Sequence, residues 1–431
     1  MRKNIKKLAA VGLTAVLGAG LLAGCGGDGK SSGGSKDGKV ELVMSVWDSD
    51  QQPVMEKMAE AYNKEHPNVH VTTQLTTWSE YWTKLEASAT GGSAPDIITM
   101  NVLHVEEYAD AGILLDLTDA EKESDLKVNE NFPAPLVEGY TVDGKLYGIP
   151  KDFDTNAVFY NKEIFDKAGV EYPSDNMTFE DFKAKCEELK NAGLPEGTYP
   201  TAVNRNSGQT TYDASVFANG GYFLSEGNEK SGWDDPKTIE GMQVIEGIIQ
   251  DGSMPDYSVV SENETTELME NGTVAMTFQG SWSLAELAGN EYVQQNCDVA
   301  PLPEGPEGTK SIYNGLGWAA SAQGDNTEGA WKLIEYLGSE EAQKKQADLG
   351  VTMSAYEGMS EGWAASNPQF NLQVYLDMMD DAQAYPSSKN TQVWFQMMQD
   401  KMVDAFSGKK PMEEVCKDIA VEMNNFLAEE Q

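Results

Sequence analysis

Positive charge is scarce in this sequence: 31 Lys and Arg stand against 70 Asp and Glu, a net charge of −39. A chain so acidic repels nucleic acid and anionic membrane surfaces, which excludes phosphate-tracking roles. Most of these carboxylates read as a solubilising surface. Histidine is rarer still, at His66, His70 and His104. His66 and His70 have the i,i+4 spacing of a ligand pair, but Pro67 lies between them and opposes a continuous helix, so both read as structural. The four cysteines, Cys25, Cys186, Cys297 and Cys416, contain no CxxC or other metal-like spacing, so no zinc site is expected. No GxSxG, HExxH or P-loop pattern occurs, and no cofactor is called for.

What is present begins with an address. Arg2, Lys3, Lys6 and Lys7 form a basic start, and residues 8–22 are an apolar run too short and too rich in Gly and Ala for a membrane span. The run ends in Leu22-Ala23-Gly24-Cys25, which resembles the lipobox of bacterial lipoproteins. On that reading residues 1–24 are a signal peptide and Cys25 is the lipidated first residue of the mature chain. Two acyl chains on Cys25 provide the two signals that stable anchoring needs. Residues 25–39, rich in Gly, Ser, Lys and Asp, read as a flexible tether. Cys186 lies on the apolar stripe Phe179, Phe182, Cys186, Leu189 and reads as a small core residue, so stability is expected from burial and not from a disulfide framework.

A chain of 431 residues suits two lobes better than one core. Residues 40–47 alternate as a strand, Pro53 opens a helix, and His66-Pro67-Asn68 stops it. Residues 69–75 form a second strand, Ser79 is placed to cap a second helix, and residues 96–100 read as a short buried strand. Strand, helix, strand, helix, strand is the order of an α/β lobe with a parallel sheet. Further strands are expected around residues 146–150, 157–160, 273–279 and 298–301. Thr178 with Asp181 forms a near capping box, and helices are expected at 236–250, 328–337, 340–349, 391–406 and 411–427.

These motifs, in this order, resemble the family 1 extracellular solute-binding proteins, the group that includes maltodextrin- and multiple-sugar-binding proteins. The resemblance rests on Val46-Trp47-Asp48, Tyr81-Trp82-Thr83-Lys84-Leu85, Gly92-Ser93-Ala94-Pro95-Asp96-Ile97 and Tyr147-Gly148-Ile149-Pro150. It continues through Phe159-Tyr160-Asn161-Lys162, Gly280-Ser281-Trp282, Asn314-Gly315-Leu316-Gly317-Trp318 and the tail from Trp394 to Val415. It implies a type II periplasmic-binding-protein-like α/β fold of two hinge-linked lobes with a ligand cleft between them. Residues 40–151 with 316–349 would form the first lobe, and 154–313 with 352–431 the second. It also implies a monomeric, lipid-anchored, non-catalytic protein on the outer face of the cell membrane, which hands a sugar to the permease subunits of an ABC transporter.

A sugar presents apolar C–H faces that stack on aromatic rings and hydroxyls that need paired donors and acceptors. Trp47 and Asp48 follow the first strand and Asn101 the third, at the sheet edge where open α/β sheets bind ligands. Asp152 and Asp154 lie in the hinge segment. Ser281 and Trp282 follow a strand in a Gly-Ser turn, and Trp318 follows Gly317, whose missing side chain would admit a ligand to the backbone. Trp78 and Tyr81 flank the second helix start and read equally as site or core. Trp394 matches an aromatic that lines the cleft in relatives. Trp82 and Trp331 fall on helical stripes and read as core, and Asp50 reads as a helix cap. Two other readings stay open: the same fold holding glycerol phosphate, a polyamine or a peptide, and a glycoside hydrolase built on cleft carboxylates.

Overall fold

A computed structural model describes residues 39–205 and 207–430. The expected signal peptide, Cys25 and all but the last residue of the tether lie outside the described residues.

The first sheet starts as the alternation requires. β1 (Val40–Val46) buries Leu42, Met44 and Val46 and pairs in parallel with β2 (Val69–Leu75). Between them α1 (Gln52–Glu65) carries Pro53 in its first turn, where the missing N–H costs nothing, and buries Val54, Met55, Met58, Ala59 and Tyr62. α2 (Trp78–Thr90) begins after Thr77 rather than at a Ser79 cap, and Ser79 falls inside the helix. β3 (Ile97–Asn101), buried along its whole length, lies in parallel on the other side of β1.

The chain then leaves this sheet and returns to it. β4 (Ile149–Asp154) passes within two residues into β5 (Asn156–Asn161), which belongs to the second sheet. That sheet holds β6 (Tyr199–Ala202), β7 (Val274–Gly280) and β8 (Cys297–Ala300) in the order β8-β5-β7-β6. The chain crosses back along β9 (Ser311–Ala320), which runs antiparallel between β3 and β4. β10 (Met353–Ser354) closes the far edge beside β4, and β11 (Ala382–Ala384) pairs with the start of β9. The first sheet thus reads β10-β4-β9-β3-β1-β2, with the returning strand inserted antiparallel at its centre.

Helices cover both sheets. α3 (Phe179–Asn191) begins at the capping box Thr178 and Asp181, complete in both directions. α4 (Asp213–Ala218), α5 (Pro236–Gln250), α8 (Thr391–Phe406) and α9 (Met412–Glu430) pack together on the second sheet's side, while α6 (Thr327–Leu337) and α7 (Glu340–Asp348) lie on the first. Cys186, Cys297 and Cys416 are free and buried, so the described core is held without a disulfide. No helix of the described residues is long and apolar enough to cross a membrane.

Trp318, expected to meet a ligand beside Gly317, lies within the ten-residue strand β9. Its glycines serve packing. A Cβ on Gly317 would lie 2.5 Å from Cζ of Tyr140, and one on Gly315 would lie 2.6 Å from a Leu136 methyl. Tyr140 is fully buried and donates its hydroxyl proton between the carbonyls of Met100 and Gly315, at 2.8 and 3.0 Å, tying β3 to β9. Gly317 therefore makes room for a tyrosine, not for a ligand at the backbone.

Candidate functional site

The C-terminal ends of β1 and β7 face each other across a cavity of about 160 Å³. Asp48 and Asp50 come from the turn after β1. The opposite wall is built from Asn204, Thr210, Thr265, Gln279, Trp282 and Glu286, with Glu264, Thr266 and Ser283 between them. Trp282 sits in the 3₁₀ turn that ends β7 and is only partly buried. Its ring folds back over Gly280, where a Cβ would lie 2.0 Å from ring carbon Cζ3. A side chain at 280 would push the indole off this wall, so the Gly280-Ser281-Trp282 sequence is what sets the ring at the cavity.

Asp48 takes the turn-organising role expected of Asp50 while still bordering the cavity. Asp48 accepts from the backbone N–H of Asp50 at 2.8 Å and of Gln51 at 3.0 Å, and from the Gln51 side chain at 2.9 Å. It therefore organises the approach to α1, which the sequence had suggested for Asp50. Asp50 is exposed beside it, and both border the cavity.

The wall is acidic, and among the described residues no Lys, Arg or His lines it. Asp50 is exposed overall, but partial desolvation of its carboxyl, and after it the neighbouring Asp48, raises it above the ordinary carboxylate range. Burial raises Glu286, and Glu270, Asp50 and Asp48 push it the same way against a hydrogen bond from Thr266. Glu270, just behind, is raised by burial and by Glu267 and Asp50. Carboxylates on opposite walls thus sense one another without a cation between them.

Trp47 and Trp78 are not among the residues that line the cavity; Trp47 meets Trp78 edge-on at 5.2 Å, Tyr81 at 4.9 Å and Trp82 at 5.8 Å. Trp78 is 49% exposed and offers a free face. Tyr81 is buried, its hydroxyl held by Ser45 Oγ and the Thr99 carbonyl, so it belongs to the core. Trp82 stacks on His104 at 3.5 Å, a packing role. Burial lowers the His104 pKa, and its Nε2 lies 2.9 Å from the Gln392 amide.

Several expected ligand residues are occupied by the protein itself. Asn101 is buried and accepts from the Leu103 N–H, capping the short 3₁₀ turn after β3. Asp152 is buried, paired with Lys151 and bound to the Leu316 N–H at 3.1 Å. Asp154 accepts from Gln209 and from the Asn314 N–H, and burial together with Asp152 holds it well above the usual range. Ser281 is buried, its N–H bonded to the Thr155 carbonyl at the crossing between the sheets. Trp318 is fully buried, with the Lys151 ammonium 5.7 Å from its ring centre. The ligand access expected beside Gly317 is closed by Tyr140 and by the place of Trp318 in the central strand. Trp394 is buried, and its Nε1 donates to Ser388 at 2.9 Å.

Trp394 nonetheless borders a second, smaller cavity with Tyr212, Asp213, Phe223, Trp233 and Tyr385. Asp213 is buried there, and burial alone pushes its carboxyl up to about 8. Its folded pKa lies above the unfolded value, so the folded state holds the extra proton between about pH 4 and pH 8. Stability is therefore full below that window and is lost as pH rises through it. Asp213→Asn is expected to flatten this slope, melting higher than wild type above pH 8 with the difference vanishing toward pH 4. Melting curves across that range check it, and a constant offset between the two proteins would show that Asp213 does not carry the slope.

Sequence reasoning did not find Asn204, Thr210, Thr265, Gln279 or Glu286. Only Gln279 had a signal, as an amide near the end of a mostly apolar strand. Among the described residues no group of three or more His, Cys, Asp or Glu is arranged to hold a metal ion.

Comparison with known proteins places this geometry. Residues 48–344 match the bacterial extracellular solute-binding protein family. The sn-glycerol-3-phosphate-binding periplasmic protein of Escherichia coli O1:K1 is 25% identical over 402 residues, 86% of this chain and 89% of the relative. Among solved structures, an ABC substrate-binding protein of Listeria monocytogenes in complex with cycloalternan superposes with a TM-score of 0.83 at 22% identity, covering 90% of this chain and 99% of that one. The GacH receptor of Streptomyces glaucescens, solved unliganded and with acarbose, gives 0.80 at 21% identity over 91% of this chain and all of that one.

Proposed function

The chain belongs to the bacterial extracellular solute-binding protein family, and we propose that it is a lipid-anchored sugar-binding component of an ABC importer, capturing its solute in the cleft and presenting it to the permease. The observation that carries the sugar reading is the pairing of a partly exposed indole, Trp282, with neutral hydrogen-bonding side chains on one wall and two aspartates on the other. An indole face takes the C–H face of a pyranose, and Thr, Asn and Gln can both donate to and accept from hydroxyls.

The glycerol-phosphate-binding relative raises the competing ligand, and the charge of this site opposes it. A phosphate desolvated among Asp48, Asp50, Glu264 and Glu286 would have no cation to meet. We assign residues 40–151 with 316–354 to one lobe and 154–313 with 355–431 to the other, the boundary expected at 349–352 moving because Met353 and Ser354 pair with β4 in the first sheet. The crossings at Asp154–Asn156 and along β9 act as the hinge about which the lobes close on the solute. Nothing in the site calls for a reaction, and binding without turnover is the activity proposed.

A thermal-shift screen against neutral mono- and oligosaccharides, with glycerol 3-phosphate beside them, tests this reading. A ligand at about 100 times its dissociation constant stabilises by about 2.7 kcal/mol, a shift readily seen. Stabilisation by glycerol 3-phosphate and by no carbohydrate would replace the sugar. The anchor has its own test. Cys25→Ala is expected to abolish acylation and release the protein from the membrane fraction or leave it as precursor; unchanged partitioning with membranes would remove the lipoprotein assignment.

A further inference from the structure

The charge of the cleft goes beyond what a neutral sugar needs. Resting on the sugar-binding reading above, we propose that the solute is an amine-bearing carbohydrate, whose ammonium group sits between Asp50 on one wall and Glu286 on the other.

Asp48 and Asp50 on one side face Glu264 and Glu286 on the other, and no basic side chain of the described residues enters the cavity. The burial and mutual repulsion that raise Asp50, Glu270 and Glu286 would be relieved by a cation placed among them. A second observation marks the same cavity as built for a polar guest. Thr210 lines it, is 3% exposed, and its hydroxyl has no hydrogen-bond partner. A buried hydroxyl left unpaired is costly, and a ligand hydroxyl or amine would satisfy it.

The neutral groups choose between two kinds of cation. Asn204 already donates to Glu264, and Gln279 to Thr265 and Thr277, so the choice falls to the Thr210 hydroxyl and Trp282: a linear polyamine offers donors and apolar methylenes but no acceptor for the Thr210 proton and no ring face for the indole. A sugar ring offers a hydroxyl oxygen to the Thr210 proton and a C–H face to Trp282, while its ammonium can lie against the indole as well as the carboxylates. The net charge of −39 would also raise the local concentration of a cationic solute at the cleft mouth.

Calorimetric titration of the full-length protein with a glucosamine trimer and with its fully N-acetylated counterpart separates charge from ring shape. The measurement is made in mildly acidic buffer that protonates the sugar amines. The glucosamine trimer is expected to bind at least about tenfold more tightly, and the ratio to shrink as salt is added. Glu286→Gln or Asp50→Asn should each reduce that ratio by about fivefold. Equal affinity for the two trimers, or binding of neutral maltosaccharides alone, would overturn the ammonium assignment and leave the sugar reading standing. Tighter binding of spermidine than of any sugar would overturn both.

Discussion

Trp282→Ala is expected to weaken sugar binding by well over tenfold while the ligand-free protein melts close to wild type. Truncating an aromatic anchor at the centre of a site commonly costs about 2 kcal/mol or more of binding energy. Trp282 has the position of such an anchor, partly buried at the end of β7, on the wall that faces Asp48 and Asp50. Its ring covers Gly280 and not the hydrophobic interior, so removing it uncovers backbone at a wet cavity. Changes of that kind usually stay within about 1 kcal/mol in stability. Trp282→Phe should recover part of the affinity, because a smaller face can still stack. Titration with the sugar found in the screen, together with apo melting curves of both variants, decides the matter. Unchanged affinity with a collapsed melting point would move Trp282 into the core and leave the cavity without its platform.

The strands and helices that carry their own signals were legible. Residues 69–75, 236–250 and 391–406 form the elements expected at those bounds, because alternation, Pro at a helix start and turn residues at the ends all act locally. The capping box at Thr178 was legible for the same reason. β9 was not. Gly315 and Gly317 interrupt its pattern, and the cause is two side chains, Leu136 and Tyr140, that are distant in sequence and fill the space a Cβ would take. Glycine in a strand signals close approach, but it does not say of what.

The candidate site divides along the same line. Residues after β1 and β7 reached the cavity because strand ends in α/β sheets define the cleft edge, a rule readable from the pattern. The hinge carboxylates did not, since the sequence shows an acid but hides its partners. Asp152 meets Lys151 and the Leu316 N–H, and Asp154 meets Gln209 from another element. Glu264, Thr265 and Thr266 come from a short helix start whose capping box, Glu264 with Glu267, marks a helix but not a site, and only the tertiary fold brings them to Trp282.

Trp318→Ala should show the opposite signature from Trp282→Ala. Trp318 is fully buried in the strand shared by β3 and β4, in register with Thr99 on one side and Ile149 on the other. Its Nε1 has no partner, so the side chain contributes through packing and through the Lys151 ammonium at its face. Removing a buried indole costs about 3–5 kcal/mol, partly because the rigid surroundings cannot fill the void. Against a total stability of about 5–15 kcal/mol that is a large fraction, and it falls on the strand that carries the chain back into the first sheet. Urea denaturation of the ligand-free protein is expected to show a much lower midpoint at an unchanged slope, with near-normal affinity for ligand in the fraction that remains folded. Wild-type stability combined with lost binding would instead mean that Trp318 reaches the ligand, and that β9 opens far more in solution than its packing against Tyr140 allows.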